Sequence, residues 1–293
     1  MPWWMGAVHC FAFLAGSFVA ILVLSLGVIA VVLVSGDMNA MTDPDALMDV
    51  MGAGGNGAMA IALHLSIAVS ALLLAQFLPL GEPAIAHIPR SPTEFGSKMR
   101  ETFALGKGRL VFLIPALLGA LTIGISAGWL SEQIMNLLPD YPNNLELISK
   151  LLTQGTGVGW LIMILAVTVS APILEELIFR GYLWSVLERA FHPAFAWIGS
   201  SLLFMLYHQD PIHIVGLAPT AFFIGWLRWV SGSIWAPMLA HFVNNGLAVA
   251  LTIFFADLDG ESTLPIAVAA FGFTCLVSGT TWGIVRAMAP TEG

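Results

Sequence analysis

The chain has 293 residues, of which 58% are hydrophobic and only 10% are charged, and its formal net charge is −8. Soluble domains average about 45–50% apolar and about 25% charged residues, so this composition excludes a soluble globular enzyme. The small number of basic residues excludes a nucleic-acid-binding protein. We therefore predict an all-α, polytopic helical membrane protein. Its two cysteines, Cys10 and Cys275, stand alone in apolar stretches and predict neither a disulfide framework nor a metal-binding knuckle.

Apolar stretches along the chain predict eight transmembrane helices around a polar intramembrane cavity. In chain order they cover about 7–34, 58–80, 110–130, 160–179 with an extension to 189, 194–207, 212–230, 234–255 and 264–285. The first is too long for the core of a signal peptide and has no cleavage motif, so we interpret it as a retained span. The fifth is short because Asp210-Pro211 ends it.

The basic residues predict the orientation of these spans. A cytoplasmic linker at 81-109 holds five of the ten lysines and arginines, and the loops at the opposite ends of the spans are acidic. The positive-inside rule then places both termini in the cytoplasm, in the plasma (inner) membrane if the source is bacterial. The segment 93–103 is amphipathic and basic, and we expect it to lie on the membrane surface. We divide the chain into an N-terminal region of three spans, 1-155, and a core of about five spans, 156-293.

Glu175, Glu176 and Arg180 are the notable ionisable side chains of the fourth span. An ionised group there costs roughly 2.5–3.5 kcal/mol on insertion scales, so such residues usually have a functional role. Glu176 and Arg180 are four residues apart, so they share a helix face and can form an ion pair. Glu175 points about 100° away and has no such partner in its own helix. A buried carboxyl group without a partner exchanges its proton nearer neutral pH, as acid–base catalysis requires. The alternative is a structural ion cluster.

Two further pairs stand at helical spacing on later spans. Phe204 precedes His208 by four residues, so the two rings can pack together. His241 and Asn245 share a face of the seventh span and could offer two donors to one developing oxyanion, or else form a polar contact between helices. The remaining histidines near the span ends are interpreted as interfacial or internally hydrogen-bonded; they are His9, His64 and His213.

Glu175 and His208 can meet only under one condition. The fourth helix has to extend to Arg189, with a kink at Pro172, and the short fifth helix has to end partway across the bilayer in a protein-lined cavity.

The three patterns together resemble the signature of the CPBP family (CAAX protease and bacteriocin-processing, also called Abi) of intramembrane proteases, which includes the Rce1-like prenyl-protein endopeptidases. The patterns are Glu175-Glu176-x-x-x-Arg180, Phe204-x-x-x-His208 and His241-x-x-x-Asn245. Flanking residues agree, with Phe-Arg-Gly at 179–181 and Gly-Ser-Ile-Trp-Ala-Pro at 232–237. The resemblance covers roughly residues 160–250.

The resemblance implies an intramembrane endopeptidase that hydrolyses a peptide bond of a membrane-associated protein or peptide, with or without a lipid. It assigns Glu175 and His208 to water activation, and His241 and Asn245 to oxyanion stabilisation. Glu176, Arg180 and Phe204 support them. Family members are often labelled metalloproteases, and a zinc ion held by Glu175, His208 and His241 is an alternative. We expect no cofactor, because a carboxylate and an imidazole can activate water without metal.

Two other classes of function remain open on the sequence. A buried Glu and His set also marks transporters and proton relays, although the chain shows no inverted repeat. A non-catalytic membrane scaffold or immunity factor could keep the same fold. We expect membrane and peptide partners and no nucleic acid.

Overall fold

The computed structural model describes residues 3–77, 92–141, 144–254 and 264–288. Within these ranges the regular structure is helical, and no strand occurs. Six helices are long and apolar enough to cross a membrane. The chain is thus a polytopic helical membrane protein, as its composition predicted.

The described helices are numbered here in chain order. They are α1 (Trp3–Ser35), α2 (Pro44–Phe77), α3 (Pro92–Thr102), α4 (Leu113–Leu137), α5 (Asn144–Gln154), α6 (Gly157–Ala190), α7 (Pro193–Tyr207), α8 (Pro211–Gly216), α9 (Ala218–Ser231), α10 (Trp235–Phe254) and α11 (Leu264–Ala287). Two short 3₁₀ turns, Met38–Met41 and Leu110–Phe112, precede α2 and α4.

Six of the eight predicted spans correspond to long helices, and the fifth and sixth do not. The fifth, α7, has 15 residues, which rise about 22 Å and fall short of a hydrocarbon core about 30 Å thick. The sixth is broken into α8 and α9, because Pro219 begins a new helix directly after the first one ends. These two predicted crossings therefore correspond to helices too short to count among the six candidate membrane-spanning helices. The end of the predicted second span, 78–80, and the first part of the linker, 81–91, lie outside the described residues.

The helix α6 runs from Gly157 to Ala190, so the predicted extension to Arg189 is confirmed. It contains two π-helical segments, Ala166–Ser170 and Leu177–Leu183. Pro172 follows the first of them, and a proline there removes one α-helical hydrogen bond from the preceding turn. The irregularity expected at Pro172 thus takes the form of a π turn, and both glutamates lie between the two π segments, near the middle of the helix.

The middle of α6 is the centre of the bundle. Its apolar residues Ile178, Phe179 and Tyr182 are almost fully buried against α2 and α7, whose Ile67 and Phe204 are equally buried. Burial on every side is unusual for a lipid-facing helix, and it holds the backbone on which the acidic pair sits in one position.

The basic amphipathic segment 93–103 forms a helix, α3, which docks on the end of α6. The Ser185 hydroxyl donates to the Thr102 carbonyl across 2.7 Å. Gly181 permits the close approach, because a Cβ there would stand 2.9 Å from a ring carbon of Phe103. This part of the linker is therefore fixed to α6, the helix that carries the two glutamates.

Candidate active site

Glu176 is the buried centre of an ion cluster. Its side chain has no exposed surface, and its Oε1 accepts from Nη1 of Arg180 at 3.1 Å and from Nδ1 of His241 at 2.9 Å. The Arg180 guanidinium donates through Nη2 to the Ala221 carbonyl at 3.0 Å and lies 4.5 Å above the Phe204 ring centroid. The ion pair predicted from the i, i+4 spacing is present, and it ties α6 to α7, α9 and α10.

Glu175 faces a different set of partners. Its Oε1 lies 2.7 Å from Nε2 of His64 on α2, and its Oε2 lies 3.7 Å from Nε2 of His241 on α10. His208 is also within electrostatic range of this carboxylate. Glu175 was predicted to lack a partner in its own helix, and its partner comes instead from a helix 111 residues earlier in the chain. His64 is thus an internally hydrogen-bonded histidine, one of the two alternatives that the sequence left for it.

His208 caps the carboxyl end of the short helix α7. Its Nδ1 donates to the Phe204 carbonyl at 2.9 Å, and its ring stands edge-on to the Phe204 ring with centroids 5.0 Å apart, as the spacing predicted. In a neutral ring with Nδ1–H donated, Nε2 is left as the acceptor. The ring of His213 lies 4.6 Å away on the other side. The short helix therefore presents an imidazole within electrostatic range of Glu175.

His241 and Asn245 share one face of α10, but their side chains meet different partners on α6. Nδ1 of His241 lies 2.9 Å from Oε1 of Glu176, and Nε2 lies 3.7 Å from Oε2 of Glu175. Nδ2 of Asn245 donates at 3.0 Å to the carbonyl of Val167, which lies in the first π segment. An amide nitrogen carries two hydrogens, so one remains for another acceptor. The structure therefore brings both residues into contact with α6.

Tyr207, next to His208, was not singled out by the sequence. Its hydroxyl oxygen is buried and has no hydrogen-bond partner among the described residues. Its ring lies 6.1 Å from that of His64 and 5.8 Å from that of His208. For His64, membrane depth was the only sequence signal, and Tyr207 gave none.

Within the part of the chain that the structure describes, no three His, Cys, Asp or Glu side chains form a group arranged to hold a metal ion. The donor atoms of Glu175 and His241 instead face neighbouring side chains at hydrogen-bonding or ion-pair distance. The alternative zinc ligands Glu175, His208 and His241 therefore do not fit a preformed tetrahedral site in this arrangement. The expectation that no cofactor is needed stays a prediction for metal analysis to test.

All these motif residues fall in one segment of the chain, and that segment matches a family model. Residues 157–247 match the family model described as "Type II CAAX prenyl endopeptidase Rce1-like". This segment is similar to that family. The Rce1-like segment begins with α6 and ends in the middle of α10, so it holds Glu175, His208, His241 and Asn245 but not His64.

A curated relative is similar over part of its length. The Bacillus subtilis (strain 168) protein named "Putative membrane peptidase YdiL" is 30% identical over 92 residues, which are 31% of this chain and 38% of that protein. The chain therefore matches little more than a third of the length of that relative. No solved structure matches the chain. The comparisons thus show a similarity to membrane peptidases over about a third of the chain.

Proposed function

We propose that the protein is an intramembrane endopeptidase that hydrolyses a peptide bond of a membrane-associated protein or peptide. The observation that carries this proposal is the buried Glu175 carboxylate, which has imidazoles around it from α2, α7 and α10. Water activation requires a positioned base, and a buried carboxylate surrounded by imidazoles can accept the proton of a water molecule. The Rce1-like match of α6–α10 supports the same chemistry.

In the proposed reaction, Glu175 takes a proton from a water molecule while the water oxygen attacks the carbonyl carbon of the peptide. The neutral His208 ring orients this water through Nε2, the acceptor nitrogen left by its bond to the Phe204 carbonyl. The C–N bond then breaks, and the proton held by Glu175 passes to the leaving amine nitrogen. Water is added across the peptide bond, and the carboxylate is regenerated.

The negative charge that forms on the carbonyl oxygen needs donors. We assign this role to Nε2–H of His241 and to the second hydrogen on Nδ2 of Asn245. For His241 the role requires a hydrogen on both ring nitrogens, so that an imidazolium stands between the two glutamates. Glu176, Arg180 and Phe204 hold this ring and the α6 backbone in position.

His64 has a positioning role in this proposal. Its bond to Oε1 fixes the Glu175 carboxylate and leaves Oε2 directed towards His241. Side chains that orient a reacting group in this way commonly contribute 10–100-fold in the related case of metal ligands. The division of the chain at 155/156 is kept as a proposal in which 156-293 carries the reacting groups and 1-155 contributes His64.

The substrate class and the orientation belong to the same proposal. The substrate is a membrane-associated protein or peptide, with or without a lipid, and both termini face the cytoplasm of a plasma (inner) membrane. Asp45→Cys and Phe95→Cys, each made after Cys10 and Cys275 are replaced by Ser, test the orientation. Labelling of the two positions from opposite sides of the membrane supports it, and labelling of both from one side contradicts it.

The activity is tested by comparing membrane protein termini in cells that carry the wild-type chain or Glu175→Gln. New termini that depend on Glu175 support an endopeptidase. Purified protein in vesicles then has to cut the same bond. A proton or ion flux without cleavage would favour a transporter, and a biological role that survives Glu175→Ala would favour a non-catalytic scaffold.

A further inference from the structure

A cleft lies at the end of the bundle where α3 meets the turn between α9 and α10. Its volume is about 720 Å³. Two guanidinium groups, small residues and hydroxyl groups line it: Thr93, Gly96, Ser97, Arg100, Glu101, Ala104, Gly106, Arg228 and Gly232. None of these residues belongs to the candidate active site, so the cleft is a separate feature.

Arg228 forms the buried wall of the cleft and is only 7% exposed. Its Nε donates to the Arg180 carbonyl at 2.9 Å, and its guanidinium carbon lies 5.1 Å from the Trp184 ring centroid. Glu188 is within electrostatic range but forms no ion pair with it. Among the described residues, the two Nη groups have no hydrogen-bond acceptor. Burial of a cation whose N–H donors lack acceptors costs free energy unless an anion binds to it in the cleft.

The opposite wall carries a second guanidinium, that of Arg100 on α3, and it makes no ion pair with any described carboxylate. Glu101, the acidic lining residue, is paired with Arg189 at 2.5 Å. The cleft therefore presents two positive groups whose charge the lining residues leave uncompensated. Guanidinium groups match the oxygens of a phosphate in geometry and charge.

We propose that this cleft binds the phosphate group of an anionic phospholipid. The α3 wall is an amphipathic helix, and Phe95 on it is 39% exposed, as expected of a helix that rests at a membrane surface. A lipid headgroup would enter the cleft from that surface while its chains stay beside Phe95. The proposal does not depend on the proposed peptidase activity.

The experiment uses purified full-length protein in neutral detergent, titrated with a short-chain phosphatidylglycerol, and native mass spectrometry counts the lipids retained per chain. One phosphatidylglycerol is expected to bind selectively over phosphatidylcholine. Arg100→Gln is expected to weaken this binding roughly tenfold, because a charged hydrogen bond is lost. Lys107→Gln is the matched control: it removes the same charge from an exposed site outside the cleft and should leave binding unchanged.

Inorganic phosphate is the second arm. If phosphate alone stabilises the wild-type protein at millimolar concentration and displaces the lipid, the site takes a free phosphate and the assignment to a lipid is wrong. Equal loss of lipid binding in Arg100→Gln and Lys107→Gln would show only a general charge effect and would overturn the site. Arg228→Lys keeps the buried charge and is expected to retain binding, though more weakly; unchanged affinity in a folded Arg100→Gln protein contradicts the proposal.

Discussion

Nε2 of His64 lies 2.7 Å from Oε1 of Glu175, and the two side chains are only 12% and 5% exposed. This contact joins α2 to the segment that matches the Rce1-like family, although α2 lies outside that match. A hydrogen bond between two buried groups in a poorly polar interior fixes both side chains. The candidate site is therefore completed by a helix that carries no family motif.

The first prediction concerns this contact. His64→Ala should lower kcat by roughly 10–100-fold with a much smaller change in KM, because it frees the Glu175 carboxylate without removing it. His64→Gln keeps an N–H donor at a similar reach and should recover part of the loss. Steady-state kinetics on a peptide substrate measure both effects.

His9→Ala is the control for this prediction. His9 is also a buried histidine in the N-terminal region, but its Nδ1 bonds to the Tyr182 hydroxyl at 2.7 Å, away from the glutamates. This variant should lose stability and keep kcat in the fraction that remains folded. Equal losses of kcat in the His9 and His64 variants would show that His64 acts through folding alone.

The second prediction separates the two glutamates. Glu175→Gln should abolish cleavage and leave folding intact, since the amide keeps the shape of the side chain and loses the base. Glu176→Gln should chiefly destabilise the protein, because Arg180 would be left without its anionic partner. The measurements are the cleavage activity and the thermal unfolding of both variants. If Glu175→Gln is active while Glu176→Gln is stable but inactive, the roles of the two glutamates are exchanged.

The third prediction concerns the buried guanidinium. Arg180→Ala removes the cation that faces Glu176 and the donor to the Ala221 carbonyl, so the free energy of unfolding should fall by about 3–5 kcal/mol. Arg189→Ala is the contrasting variant, because Arg189 pairs with Glu101 near the surface, and such pairs contribute at most about 1 kcal/mol. Thermal unfolding in detergent gives the comparison, and equal effects would contradict the buried pair's importance.

The fourth prediction concerns Asn245. Asn245→Ala should lower kcat by about 10²–10³, with substrate binding retained, if its amide stabilises the oxyanion. The bond from Asn245 to the Val167 carbonyl offers a structural alternative. In that case the variant would lose stability while folded protein keeps its kcat. Asn245→Asp, which is nearly isosteric but lacks the donor, should be as slow as Asn245→Ala.

The fifth prediction concerns metal. Purified active protein should contain much less than one zinc per chain, and EDTA at equilibrium should leave its activity unchanged. Zinc at about one per chain, lost together with activity on chelation and restored by addition, would convert Glu175, His208 and His241 into ligands. Elemental analysis in parallel with activity measures this directly.

The helical class and most spans could be predicted because long apolar runs leave few alternatives in a membrane. The sixth span could not be predicted in its true form. Its hydropathy is continuous from 212 to 230, but the break before Pro219 depends on how two short helices pack inside the bundle. Hydropathy measures the preference for lipid and is silent on whether a segment crosses it.

The site shows the same division between local and distant information. Glu176 with Arg180, and Phe204 with His208, are one helical turn apart, so helix geometry predicted both contacts. The partnership of His64 with Glu175 spans 111 residues and has no spacing rule. The Asn245 bond to Val167 depends on a π turn that the sequence marks only by Pro172.

The π segment Ala166–Ser170 makes the number of residues in α6 a functional quantity. A π turn holds about one residue more than an α turn, so removal of a single residue there would restore a regular helix. Because the π turn absorbs that extra residue, the helix after it would keep its orientation and Glu175 would still face α2. The same deletion in the α-helical stretch Gly157–Leu165 would rotate the two parts of the helix by about 100° relative to each other. A single-residue deletion between 166 and 170 should thus be better tolerated than one between 158 and 164.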